Sequence, residues 1–216
     1  MKTSLTKKNL RHHFAYSWWK YLLIALISFG LVDLLYAVTA YRPPRSKTIG
    51  FYIYGYMDEA GLTDYMENIR QTEMSDMEEM RPQMLVADDA YGPMQLMTYL
   101  AAGEGDVYLL PREEFLNNAS GGALVPLEND AGLMSLFDAA GVSLQSGWRR
   151  DADTGENHLF GIPADKLPGL GRYAVTQDGF LCLIISGGNM ENAAKFLRIL
   201  CRDCISAPAE KPASAP

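Results

Sequence analysis

The chain is short of cysteine, of histidine and of positive charge, and each shortage removes a class of function. Three Cys in 216 residues exclude a small disulfide-stapled scaffold, which needs several bridges to replace a missing core. The three His are His12, His13 and His158, too few and too scattered for the His/Cys grouping of a zinc site. Lys and Arg number 19 against 26 Asp and Glu, a net charge of −7. Nucleic acid is thereby excluded as the main partner, because phosphate binding needs a basic face. Nor is the chain disordered as a whole: 48% hydrophobic and 21% charged residues are a folded protein's proportions. No internal repeat is present.

Catalytic signatures are missing too. Gly103-Glu104-Gly105 has no P-loop Lys-Ser/Thr after it, and Ser186-Gly187-Gly188 is not a nucleophile elbow. The neighbouring acids Asp88/Asp89, Glu78/Glu79 and Glu113/Glu114 read as solvated surface, since a hydrolytic pair works across a cleft. Asp151-x-Asp153-x-Gly155 would need an acid at its twelfth position, which is Ile162, so it reads as a hairpin turn and not a calcium loop. Asn118-Ala119-Ser120 matches a glycosylation acceptor, a tripeptide frequent by chance. The expectation is a protein that is not an enzyme and that uses no cofactor.

What is present is one long apolar run with unequal ends. Residues 21–40 read YLLIALISFGLVDLLYAVTA. About 20 helical residues match the ~30 Å hydrocarbon core of a bilayer. Trp18, Trp19 and Tyr21 stand at one end, and Tyr36 and Tyr41 at the other, where such rings favour the headgroup level. The first twenty residues carry five Lys and Arg and no acid, whereas residues 42–216 carry a net charge of −11. The basic end is therefore expected in the cytoplasm and the remainder outside, on a single-pass signal anchor. Val38-Thr39-Ala40 resembles a cleavage site, but the basic region is long and the apolar run exceeds a signal peptide's usual length. Asp33 within the span reads either as a contact with a partner helix or as tolerated polarity, the second being favoured.

Four regions follow from this: a basic cytoplasmic segment 1–20, a transmembrane anchor 21–41, an extracytoplasmic domain 42–206 and a disordered Ala/Pro tail 207–216. Within the domain, hydrophobic periodicity predicts strands at 48–54, 83–87, 106–110 and 180–186. It predicts helices at 59–71, 91–102, 111–118, 133–140 and 189–204. Residues 72–80 either continue a helix or form a loop. Residues 123–127 read as a short extended piece, and 144–150 with 157–162 as a hairpin. Alternating strands and helices indicate an α/β fold.

Four segments, in order, resemble bacterial extracellular solute-binding proteins, the receptors of ABC importers. They are residues 96–114 (LMTYLAAGEGDVYLLPREE), 122–128 (GALVPLE), 159–163 (LFGIP) and 188–197 (GNMENAAKFL). The last three are similar to the family's "G-x-L-x-P-L-D", "Y-G-I-P" and "N-x-E-x-A-x-K-F-L" stretches. The resemblance implies one periplasmic-binding-protein-like lobe, a mostly parallel sheet flanked by helices. The usual member is about twice as long and has two lobes, so it implies a single-lobe derivative with a membrane helix in place of a lipid anchor. It further implies a small solute such as a sugar or peptide as partner, or docking on a transporter or other membrane protein.

Candidate ligand-binding residues are Tyr54, Tyr56, Asp88, Asp89 and Trp148, because strand ends of an α/β sheet face the ligand crevice and rings stack on ligands. The ordinary alternative for these rings is core and rim. Asp106, at the start of its strand, is expected to bond backbone donors in the preceding turn. Cys201 and Cys204 are a possible disulfide pair outside the cell. A redox role is disfavoured, since the pair ends a helix and the dipole there opposes a thiolate. Cys182 reads as core.

Overall fold

The computed structural model describes residues 7–85, 91–152, 154–175, 177–185 and 188–206, with side chains from residue 18 onward. It divides into two compact units, Met1–Arg42 and Pro43–Pro216. The first unit is helix α1, Lys7–Thr39. Its stretch Trp18–Thr39 has a mean hydropathy of 2.2 and is long and apolar enough to cross a membrane. The helix starts well before the apolar run, because nothing between Lys7 and Tyr21 breaks it. The hydroxyls of Ser28 and Thr39 donate to the carbonyls of Ile24 and Leu35, which hides their polarity within the helix.

The second unit is an α/β lobe. Its five sheet strands are β1 Thr48–Tyr54, β2 Glu79–Leu85, β3 Val107–Pro111, β6 Ile162–Pro163 and β7 Gly179–Leu183, and β4 Trp148–Arg150 and β5 Asn157–Leu159 form a separate antiparallel pair. The helices are α2 Glu59–Thr72, α3 Gly92–Ala102, α4 Arg112–Ser120, α5 Ala131–Ala140 and α6 Met190–Ile205. The sheet order is β2-β1-β3-β7-β6. β1 runs parallel to both β2 and β3, and β7 runs antiparallel to both of its neighbours, β3 and β6.

Period-two alternation assigns the two faces of this sheet. Ile49, Phe51 and Ile53 of β1 join Val107, Leu109, Leu181 and Leu183 in one core. Onto it pack Leu62, Met66 and Ile69 of α2, Phe137 of α5 and Phe196 and Leu200 of α6. The opposite face gathers Tyr108, Leu110, Phe180 and Cys182 with Leu96 of α3 and Phe115 of α4, and Tyr52 and Tyr54 pack at its border. Helices thus cover both faces, and the β-branched and aromatic strands are buried on each side. A ring stack of Phe115 on Phe180, with centroids 4.2 Å apart, anchors α4.

One expectation is corrected in this lobe, and two others are made specific. β2 begins at Glu79, four residues before the expected start. Pro82 lies inside it, which is tolerated because β2 is an edge strand paired to β1 alone. Residues 123–127 are the short extended piece: Leu124 makes a single bridge to Ile184, and the Val125 and Leu127 amides bond the Leu183 and Leu159 carbonyls. Of the two alternatives for residues 72–80, the loop holds over 73–78, with the Met74 and Met77 side chains within it buried in the first core.

The amino ends of β1 and β3 are bolted together. The Asp106 backbone amide bonds the Gly50 carbonyl, and the Gly50 amide donates to Asp106 Oδ2 at 2.9 Å. The carboxylate thus serves the neighbouring strand and not the preceding turn. Burial pushes its pKa up to about 6, against the lowering pull of the Gly50 amide and of Arg45. Gly105 has a φ of +76°, and a Cβ there would lie 2.4 Å from the Tyr52 ring, so glycine is required on two counts. Arg45 donates to the Gly103 and Ala102 carbonyls that end α3. Tyr108 Oη donates to the Glu104 carbonyl, and Asn189 Nδ2 to the Thr48 carbonyl.

Candidate binding site

In an open sheet of this order, the connections from β1 and β3 leave on opposite faces, and a crevice lies at the carboxyl ends of the strands. Here α2 follows β1 onto one face, while α4 follows β3 onto the other. That edge is where Tyr54 ends β1 and Tyr56 follows it.

The two tyrosines differ. Tyr54 is half-buried at the border of the second core, so most of its ring serves packing. Tyr56 is 40% exposed. Its backbone is pinned, because its carbonyl accepts from the Val175 amide and the Asp58 amide donates to the Tyr173 carbonyl. Gly55 permits the sharp exit from β1, with a φ of +127°. Asp58 then caps α2 by accepting from the Gly61 amide.

Two residues at the same edge escaped the sequence reading. Tyr91 precedes α3 at the carboxyl side of β2 and is 66% exposed, and Val175 beside Tyr56 is 51% exposed. Tyr91 opens an expected helix, where an apolar residue passes for the start of a core face, and Val175 falls in a stretch where the sequence pattern assigns no element. Asp88 and Asp89 lie outside the described residues.

Trp148 does not join this group. It pairs with Leu159, three residues before β6 begins. β6 is three strand steps from β1 in the sheet order, roughly 14 Å at the usual spacing. The turn holding it there is tight, since a Cβ on Gly147 would meet the Gly161 carbonyl. Arg149, next to it, lies over the Phe115 ring at 5.3 Å.

The other sequence candidates resolve clearly. Cys182, Cys201 and Cys204 are free and buried. The possible disulfide between Cys201 and Cys204 is not formed, because both thiols are packed into the first core along α6. Burial raises both pKa values, that of Cys204 to about 12, so neither thiol is a ready nucleophile. His158 is paired: its Nδ1 lies 2.5 Å from Glu128 Oε1, while Glu128 Oε2 accepts from the Leu159 amide. The Glu128 hydrogen bond holds the His158 pKa above its ordinary value. Sequence reading missed this pair because 30 residues separate its members. Among the described residues no group of three or more His, Cys, Asp or Glu could hold a metal ion.

No family model matches this chain, and no curated protein matches it. Several solved structures are similar to part of it. The extracellular solute-binding protein family 1 member from Alicyclobacillus acidocaldarius is 20% identical over 56% of this chain and 29% of its own, with a TM-score of 0.41. An ABC transporter solute-binding protein from Agrobacterium vitis, solved with bound D-mannitol, is 16% identical over 54% of this chain and 26% of its own, with a TM-score of 0.35. RafE from Streptococcus pneumoniae is 16% identical over 57% and 29%, with a TM-score of 0.31. The chain thus spans under a third of the length of each of these proteins, and about half of this chain is similar to a part of them.

Proposed function

We propose that the lobe after α1 is a non-catalytic binding module, held to a membrane by α1 with its basic end in the cytoplasm and the lobe outside. It takes a small solute such as a sugar or peptide at the carboxyl edge of β1 and β3. One observation carries this reading: four solute-binding motifs fall in order on a lobe whose carboxyl edge bears the exposed rings Tyr56 and Tyr91. Rings held by a fixed backbone suit stacking on a flat ligand face. The charge step across the apolar helix supports the orientation.

The test is a thermal-unfolding screen of the 43–216 unit against sugars, oligosaccharides, amino acids and peptides. A ligand at 100 times its dissociation constant adds about 2.7 kcal/mol of stability, an easily seen shift. The expected result is a specific shift that Tyr56→Ala and Tyr91→Ala remove. A flat screen on a cooperatively unfolding sample overturns it.

A second reading has its own support. Tyr54 is largely committed to packing and Trp148 lies elsewhere, which leaves, among the described residues, a one-sided edge without a facing wall. An interaction subunit, docking this edge on a transporter or other membrane protein, needs no facing wall. Recovery of one partner with the full-length protein, lost in Tyr91→Ala, supports it over solute binding.

A further inference from the structure

A cavity of about 510 Å³ opens between residues 125–130, the first turn of α5 and the first half of α6. That volume is in the range of small-ligand sites. Its floor is apolar, with Leu127, Leu133, Leu183 and Leu197 all buried. Leu183 pairs with Val107 at the amino end of β3, so the cavity lies toward the end of the sheet opposite Tyr54. It is independent of the solute edge proposed above.

The cation among its lining residues is Arg198. Its Nε forms an ion pair with Asp130 Oδ2 at 3.3 Å but is buried without a hydrogen bond. The neighbouring cations on α6 are engaged. Lys195 donates to the Glu73 carbonyl, and Arg202 forks onto the Glu73 carboxylate at 2.9 and 2.6 Å. Arg198 is therefore the guanidinium of this helix face that keeps unspent donors among the described residues. A planar fork at the mouth of an apolar hollow fits a carboxylate in a way that an ammonium or an amide does not.

We propose that this cavity binds a small amphipathic carboxylate, with its apolar body on the leucine floor and its head on the Arg198 guanidinium. Leu127, Leu133, Leu183 and Leu197 supply the burial, and Arg198 supplies the selection for negative charge. Asp130, beside the fork, weakens binding by like charge. Its removal as asparagine keeps the cap on the Leu133 amide and lifts that repulsion.

The test uses full-length protein in lipid nanodiscs with methyl-labelled methionine, read by NMR at Met190, which lines the cavity. Hexanoate is titrated against hexanamide, its uncharged isostere, with empty nanodiscs as the partition control. Expected is a saturable Met190 shift with hexanoate and about tenfold weaker binding of hexanamide. Arg198→Gln makes the two bind alike, Asp130→Asn tightens hexanoate, and Ala194→Phe, which fills the cavity, abolishes the shift. Tyr56→Ala leaves hexanoate binding unchanged, so failure here and failure at the carboxyl edge are told apart. Equal affinity for acid and amide, an unmoved Met190, or a shift that survives Ala194→Phe overturns the proposal.

Discussion

The two ends of the sheet are built on different principles. At the amino end of β1 and β3, polar groups are tied to partners: buried Asp106 with Gly50, buried Asn189 with Thr48, buried Tyr108 with Glu104, and exposed Arg45 with the last carbonyls of α3. At the carboxyl end, large apolar side chains stand in solvent: Tyr56, Tyr91 and Val175. A buried, satisfied polar group fixes geometry and resists change, while an exposed ring offers apolar area to a ligand or partner. Along β1 and β3 the lobe thus holds fixed geometry at the amino end and exposed rings at the carboxyl end, and the cavity beside Arg198 is a separate opening next to the α5–α6 pair.

Substitutions can sharpen or break that division. The largest effect is expected from Gly105→Val, where a positive φ and the Tyr52 ring both oppose a branched side chain. A loss of about 3 kcal/mol or more, seen in urea unfolding, is expected. Asp106→Ala comes next, because it strands the Gly50 amide, at about 1–3 kcal/mol.

Asp106 also makes a pH prediction with a definite sign. Its folded pKa is raised from 3.8 to about 6, so the folded state holds the proton more tightly than the unfolded chain. The stability it contributes is complete below about pH 4 and is lost as pH rises through 6. The difference in Tm between wild type and Asp106→Asn should therefore shift against the wild type between pH 4 and 7.

His158 gives a smaller, local version. Its pKa is raised by Glu128, so its contribution is present below about 6.5, its ordinary value, and fades as pH rises above it. Amide exchange at Leu159, whose N–H is held by the same Glu128, should quicken in His158→Gln at pH 6 and match wild type at pH 9. Smallest of all, Tyr56→Ala and Tyr91→Ala should change stability by no more than about 0.5 kcal/mol. A loss of 2 kcal/mol or more at either tyrosine would end the comparison between the two ends.

What could be read from the sequence follows the range of the interactions involved. β1, β3 and the helices α2, α3, α5 and α6 were legible because periodicity is local: Leu62, Met66 and Ile69 announce one face without reference to the rest of the chain. The start of β2 was hidden by Pro82, whose cost depends on whether the strand is central or at an edge, and only the sheet decides that. The site was less legible still. Tyr54 and Tyr56 were adjacent signals, but Trp148 was placed by the close approach of the Gly147 backbone to Gly161 across the β4–β5 hairpin. Asp106 found its partner 56 residues away and His158 found its own 30 away. Spacing along a chain carries no mark of such pairings.

The Arg45 clamp also has a mechanical meaning. Residues 43 and 44 are both proline, a stiff lead-in that transmits tension with little slack. Any pull from the α1 side arrives first at Arg45, tied to the end of α3, and then at β1. β1 is flanked by parallel strands on both sides, with seven paired residues along β2. A load along its axis stretches these bonds together as a shear and does not unzip them singly. The chain thus enters the lobe through its best-supported strand, so tension applied through residues 43 and 44 should distort the carboxyl edge last.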